Sequence, residues 1–311
     1  MKKRVIGIVG PTASGKTALS LPVAQRLRGE IVCMDSMQIY RGMDIGTAKP
    51  TPAERAAVPH HMVDFLDPRE AYSVNQYAQD ARECIERVDV PILVGGTGMY
   101  LQSLSLPMDY GAVGGSEEIR QKYHRLADDQ GPQAVHDLLK KVDPLSAARL
   151  HPNDLRRVIR ALEVFDLTGV PLSSQKMPGI EDAPYDFQLY AIDLPRDILY
   201  ARVEKRVDDM MAQGLLREVK ALVDAGVAPD AQAMQGLGYK EMLPVLSGDM
   251  ALPDAVNLLK MRTRHYAKRQ LTWFKRDTRI RWFPLWPGDD LAPLIDEICQ
   301  SYRKGNAHGT A

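Results

Sequence analysis

Arg4-Val5-Ile6-Gly7-Ile8-Val9 runs into Gly10-Pro11-Thr12-Ala13-Ser14-Gly15-Lys16-Thr17 and then into the helical pattern Ala18 to Leu27, and this stretch decides the fold. The central eight residues match GxxxxGK[ST], placed between a strand and a helix as that motif requires. Its glycines let consecutive N–H groups turn inward around a di- or triphosphate. Lys16 neutralises the oxygens, and the Thr17 hydroxyl suits Mg²⁺. The expected phosphate-binding set is therefore Gly10, Pro11, Thr12, Ala13, Ser14, Gly15, Lys16 and Thr17, with Thr17 as metal ligand and Mg²⁺ as cofactor.

Outward from the loop, apolar runs at Glu30 to Met34 and Pro91 to Val94 read as further strands. Between them Ser73 is a helix cap, and Val74, Tyr77, Ala78, Ala81, Cys84 and Ile85 recur at helical spacing. From about Leu106 to Tyr185 the periodicity is mainly helical, with turn clusters at Gly111 to Gly115 and Leu172 to Gly179. A strand-like run returns at Phe187 to Ile192. Helices follow from about Arg196 to Ala212, from Leu215 to Ala225 (stopped by Gly226) and from Pro253 to Lys275. The expectation is an α/β chain: a P-loop NTPase-like core with a mostly parallel sheet over residues 1–105 and 186–311, interrupted by a helical subdomain over 106–185.

The chain has 311 residues, 45% hydrophobic and 26% charged, which excludes collagen-like, coiled-coil and disordered classes. Three isolated cysteines, Cys33, Cys84 and Cys299, form neither a disulfide framework nor a zinc knuckle and fit a reducing cytosol. The apolar run Val5 to Val9 is too short for a secretory leader, and no stretch approaches the roughly 20 apolar residues of a membrane span. A cytoplasmic protein with no membrane partner is expected. Forty Lys plus Arg balance forty Asp plus Glu, but the balance is uneven. Lys260 to Arg281 holds nine basic residues against one acid, Asp277, with Tyr266, Trp273 and Phe274 interleaved. That mixture suits backbone neutralisation and base stacking on a nucleic acid, and the competing reading is a solvated helix face.

A phosphate loop does not name a reaction. The strand Pro91 to Val94 ends in Gly95-Gly96 with no acid to organise metal and water, and no guanine-reading NKxD is present, so ATPase and GTPase readings lose support. Asp35 follows the strand Glu30 to Met34, where α/β sheets place ligand-binding groups. As a residue in sequence it is equally a metal ligand, a general base or a cap in a polar turn. His60-His61 lies in a strand-like run that turns the two rings to opposite faces, and no cluster completes a metal site. Met210-Met211 reads as core filling.

The blocks GPTASGKT, DSMQIYRGMDIGTAKP, PHHMVDFLDP, ILVGGTGMYLQSL, HPNDLRRVIRALEVF, QGLGYKEM and RQLTWFKRD, in this order from residue 10 to 277, resemble the tRNA dimethylallyltransferase family. The resemblance implies a transferase that moves a dimethylallyl group from dimethylallyl diphosphate to N6 of adenosine 37, beside the anticodon of tRNA, releasing diphosphate. Its implied partners are tRNA, through the anticodon stem-loop, and dimethylallyl diphosphate, and the expected state is a monomer. Asp35 becomes the catalytic base that orients the amine and accepts its proton. Lys16 becomes catalytic by stabilising the leaving group, and Thr97 sits near the reacting groups, although a helix cap would look identical.

Arg202 and Arg206 lie one turn apart and are expected to close on the same diphosphate oxygens, or else to form a solvated face with Glu204, Asp208 and Asp209. The implied tRNA contacts are Asp35, Ser36, Met37, Gln38, Thr97, Arg120, Arg156, Arg157, Arg160, the block Gln235, Gly236, Leu237, Gly238, Tyr239 and Lys240, and Lys268 with Arg269. The sequence at Arg156 departs from the Gln-Arg start of some members, which leaves phosphate contact as its expected role. A small-molecule kinase and an RNA-binding NTPase are the competing activities.

Overall fold

The structure is a computed structural model and describes residues 2–106, 115–174 and 182–307. The chain divides into two compact units, Met1–Leu106 with Ala183–Ala311, and Pro107–Asp182.

In the first unit β1 (Arg4–Val9) leads through the phosphate loop into α1 (Lys16–Leu27), and β2 (Glu30–Met34) follows. α2 (Pro52–Ala57), β3 (His60–His61), α3 (Val74–Arg87), β4 (Pro91–Gly95) and α4 (Gly98–Ser105) complete its first half. The second unit holds α5 (Glu117–Gln130), α6 (Pro132–Val142), α7 (Pro144–Arg149) and α8 (Leu155–Thr168). The chain then returns to the first unit with β5 (Asp186–Asp193), α9 (Arg196–Gln213), α10 (Leu215–Asp224), α11 (Tyr239–Leu246), α12 (Leu252–Phe274), β6 (Ile280–Pro284) and α13 (Ala292–Ala307).

The six strands form one sheet in the order β3-β2-β4-β1-β5-β6, and every pairing is parallel. Both faces are buried, and the strand period of two deals residues to each. Val5, Val9, Leu189 and Ala191 enter one core with Tyr77, Tyr100, Leu104 and Phe274, whereas Ile6, Ile8, Tyr190 and Ile192 enter a second with Leu19 and Val23 of α1 and Ile298 of α13. Helix starts follow local chemistry: Ser73 and Gln76 form the capping box of α3, and Pro253 occupies the first turn of α12.

Two features differ from the sequence reading. β6 was not expected there; it pairs with β5, Leu189 opposite Ile280, and takes the end of the basic stretch into the sheet. Phe274, read with that stretch as a stacking aromatic, is fully buried in the core, because it closes α12 against the sheet. Met210 and Met211 pack against the same core. Of the expected turn clusters, only Gly115 and the short 3-10 turn Leu172–Ser174 lie within the described residues.

The second unit has its own core, with Tyr123, Val135, Leu139, Val158 and Leu162 at its centre. The fully buried Glu163 carboxylate accepts from Ser116 N–H at 2.8 Å and pairs with Arg120 at 2.8 Å and Arg160 at 2.5 Å. No described helix is long and apolar enough to cross a membrane.

Candidate active site

The sheet order β2-β4-β1 sets three loops side by side at the carboxyl ends of the strands: Asp35 after β2, Gly96-Thr97 after β4 and the phosphate loop after β1. This is where parallel α/β sheets bind ligands. A cavity of about 680 Å³ opens there, lined by Thr12, Gly15, Lys16, Thr17, Asp35 and Arg206 among others. Its size falls within the roughly 300–1,000 Å³ of small-molecule sites.

In the phosphate loop Gly15 adopts φ +100°, a conformation open to glycine, and a Cβ there would lie 3.8 Å from Arg202 Nη1. Arg202 therefore stands over the loop from α9, as its spacing with Arg206 suggested. Lys16 Nζ donates to the carbonyls of Gly10 at 3.1 Å and Pro11 at 2.6 Å. Burial, helped by the Arg206 charge, pulls the Lys16 ammonium down to about 7, while Asp35 opposes the shift. Burial also lowers Arg206, again against the attraction of Asp35. Neither Arg202 nor Arg206 has a hydrogen bond or ion pair among the described residues, so two guanidiniums face a cavity without a bonded counter-ion. Thr17 is exposed on the same wall, whereas Gly10, Pro11 and Ser14 are buried behind it.

Asp35 does two things at once. Its Oδ1 accepts from the N–H groups of Met37 at 2.9 Å and Gln38 at 3.3 Å, the polar-turn role among its alternatives. Its Oδ2 makes no hydrogen bond among the described residues and belongs to a residue of the cavity wall. The turn aims one oxygen and leaves the other for a ligand.

The neighbouring candidates divide. Ser36, Met37, Gln38, Gln235, Gly236, Leu237, Lys240 and Arg269 line the cavity. The Gln38 side chain is already committed, donating to the Thr47 and Ala48 carbonyls at 3.1 Å and accepting from Cys33 Sγ at 3.2 Å. Burial, with Asp35 nearby, pushes the Cys33 thiol up to about 12. Tyr239 is fully buried and donates to Glu218 at 2.6 Å, so it shapes the block from within the core and does not face a ligand. Gly238, at φ +96°, starts α11. Thr97 occupies the N-cap position of α4, its carbonyl accepting from Leu101 N–H at 3.3 Å, but its side chain makes no cap bond: Oγ1 accepts from Ser36 N–H at 3.3 Å, just outside the cavity lining. His60 lines the cavity with Nδ1 at 2.7 Å from the Val58 carbonyl, and His61 meets Glu30 at 2.6 Å.

The basic stretch changes most. Lys260 pairs with Asp208 at 2.6 Å, Arg262 with Glu241 at 2.9 Å, Lys275 with Asp193 at 2.8 Å and Arg279 with Asp277 at 2.6 Å. Arg264 pairs with Glu204, and Arg281 with Glu297. Among the described residues only Lys268, Arg269 and Arg276 of the nine have no acid partner, and Arg269 packs 5.8 Å from the Tyr266 ring centroid. The concentrated charge is thus largely cancelled in space, and of what remains Arg269 lines the cavity, whereas Lys268 does not and Arg276 follows the end of α12. In the second unit Arg157 pairs with Asp154 at 3.0 Å, Arg156 has no partner among the described residues, and Arg120 and Arg160 are held by Glu163.

Two residues that sequence reasoning did not single out, Gln270 and Glu218, belong here beside Tyr266, an aromatic of the basic stretch. Tyr266 and Gln270 line the cavity, and Glu218 accepts from the N–H groups of Asp44, Ile45 and Gly46 at 2.9, 2.8 and 3.1 Å, fixing the loop that carries Gly46 to Ala48 along the wall.

Comparison with known proteins gives one answer. The profile of the IPP transferase family matches residues 38–277. A tRNA dimethylallyltransferase of Pelotomaculum thermopropionicum is 44% identical over 303 residues, covering 96% of each chain, and one of Syntrophobacter fumaroxidans is 49% identical over 284 residues, covering 90% of this chain and 83% of its own. The crystal structure of a tRNA isopentenylpyrophosphate transferase from Bacillus halodurans superposes with a TM-score of 0.73 at 42% identity, covering 97% of this chain and 96% of its own. A eukaryotic dimethylallyltransferase described as acting on tRNA superposes with a TM-score of 0.77 at 32% identity, covering 91% and 74%.

Proposed function

The chain belongs to the IPP transferase family of tRNA dimethylallyltransferases, and from that premise we propose that it transfers a dimethylallyl group from dimethylallyl diphosphate to N6 of adenosine 37 in tRNA at the cavity between Asp35 and the phosphate loop. The observation that carries this reading is the charge arrangement. Lys16 and the unpaired Arg202 and Arg206 face a cavity that holds one carboxylate with an open oxygen. Lys16 and Arg206, partly withdrawn from water, and the exposed Arg202 converge without a bonded acid among the described residues, and a diphosphate supplies the missing anion.

The C1–O bond of the dimethylallyl group breaks with its electron pair leaving on diphosphate, and the N6 lone pair forms the new C–N bond. Loop N–H groups, Lys16, Arg202 and Arg206 stabilise the charge on the departing oxygens. To do so Lys16 exchanges the Gly10 and Pro11 carbonyls for diphosphate oxygens and takes up a proton. Asp35 Oδ2 accepts the proton of N6, while its Oδ1 stays tied to Met37 and Gln38 and keeps the carboxylate aimed.

Mg²⁺ fits the donor set: the Thr17 hydroxyl is exposed on the cavity wall, and Mg²⁺ at diphosphate sites commonly takes few protein ligands. When bound it supplies further neutralisation of the leaving group. A stacked adenosine reaches Asp35 only if it is extruded from the loop. Lys268, Arg269 and Arg276, and in the second unit Arg156 and Arg157, are the cations for the RNA backbone.

Incubation with tRNA, labelled dimethylallyl diphosphate and Mg²⁺ tests the reading. Label appears in the RNA, with one diphosphate released per label, only when both substrates are present. ATP turnover without tRNA and no labelled RNA would replace it with a kinase.

A further inference from the structure

Gln270 of α12 is 6% exposed. Its Oε1 accepts from the Thr12 N–H at 2.9 Å, and its Nε2 donates to the Gly96 carbonyl at 2.8 Å. One side chain thereby spans the phosphate loop after β1 and the turn after β4. The approach needs glycine: a Cβ on Gly96 would fall 2.3 Å from Gln270 Nε2.

The neighbours of Gln270 on the helix act on the same turn. Tyr266, four residues earlier, interacts with Thr97 through its hydroxyl, and the Trp273 ring, three residues later, lies 2.2 Å from where a Cβ on Gly98 would be. Positions 266, 270 and 273 share one helical face. A single face of α12 therefore grips Gly96, Thr97 and Gly98 in succession, and at Gln270 it grips the phosphate loop as well.

We propose that Gln270 is a positioning residue for the transfer reaction, clamping the phosphate loop to the Gly96-Thr97 turn so that the departing diphosphate is held at a fixed distance from Asp35. Gln270 acts through Thr12 and Gly96. The amide is the side chain suited to this place, because it offers an acceptor to an N–H and a donor to a carbonyl at once. The inference rests on the reading of the phosphate loop as the diphosphate site.

Steady-state transfer is measured for wild type, Gln270→Met and Gln270→Glu with dimethylallyl diphosphate, tRNA and Mg²⁺. In Gln270→Met both bonds are lost at nearly constant volume. The expected result is a fall in kcat of up to about a hundred-fold, the scale of a misplaced reacting group, with KM for tRNA within about two-fold of wild type. In Gln270→Glu the introduced carboxyl donates to Gly96 only when protonated, so its rate relative to wild type rises as pH falls from 8 to 6. Urea unfolding of Gln270→Glu over the same pH range is measured alongside, because a role confined to stability lowers the folded fraction while kcat per folded enzyme stays flat. A kcat for Gln270→Met within two-fold of wild type, or a flat ratio for Gln270→Glu, overturns the inference. If wild type itself transfers no label, the proposed function fails instead.

Discussion

Replacing Lys268, Arg269 and Arg276 with alanine removes the three cations of the 260–281 segment that have no acid partner among the described residues. Replacing Lys260, Arg264 and Arg281 removes three whose charges already meet Asp208, Glu204 and Glu297. Both triple variants change net charge equally, so long-range attraction of a polyanion changes about equally, and only direct phosphate contact separates them. Each phosphate neutralised contributes about 0.7 to 0.9 to the slope of log affinity against log salt. The unpaired set should therefore flatten the slope for tRNA by about two to three. Between 50 and 200 mM salt wild type should then lose roughly twenty- to forty-fold more affinity than this variant. The paired set should flatten the slope by less than about one, because its released acids replace no phosphate contact. Filter binding or fluorescence anisotropy across a salt series reads both. Equal flattening by the two variants would refute the assignment and return the segment to a general electrostatic role.

Lys16 links diphosphate binding to protons. Burial and Arg206 hold its ammonium at about 7 in the ligand-free protein, and a bound diphosphate favours the charged form and raises it. Binding therefore takes up a proton above pH 7, and Kd for diphosphate weakens by up to about ten-fold per pH unit from there toward the ordinary lysine range. Calorimetry in buffers of different ionisation heat measures the uptake, and Lys16→Met should abolish it. Glu218→Gln should cost about 2 kcal/mol in urea unfolding, because a carboxylate accepting from three backbone N–H groups and from Tyr239 gives way to an amide. It should also weaken tRNA binding by loosening the Gly46 to Ala48 wall; an unchanged unfolding midpoint contradicts this.

What the sequence revealed was what is local. The phosphate loop, β1, β2 and the Ser73 cap follow from neighbouring residues. Asp35 was legible as a strand-end acid, yet its division into one tied and one open oxygen depends on a turn that only the backbone of Met37 and Gln38 defines. The pairing of the basic stretch was not legible because its partners come from distant positions: Asp193, Glu204, Asp208, Glu241 and Glu297 belong to three other helices and a strand. β6 was hidden inside that stretch, since Arg281 interrupts its apolar pattern and the strand exists only as an edge beside β5. Gln270 falls within the block RQLTWFKRD, but a single glutamine among charges suggested no role there, and its meaning lies in two bonds to residues 258 and 174 positions away.

Single-turnover transfer by Asp35→Asn, with enzyme and tRNA above the dissociation constant, tests the central claim most directly. Asparagine can keep the turn to Met37 and Gln38 through its amide oxygen but cannot take the N6 proton, so tRNA and diphosphate affinities should stay within about three-fold of wild type while the transfer rate falls by about 10²- to 10⁴-fold, the contribution of a positioned general base. A transfer rate equal to wild type would contradict the account and remove Asp35 as the base.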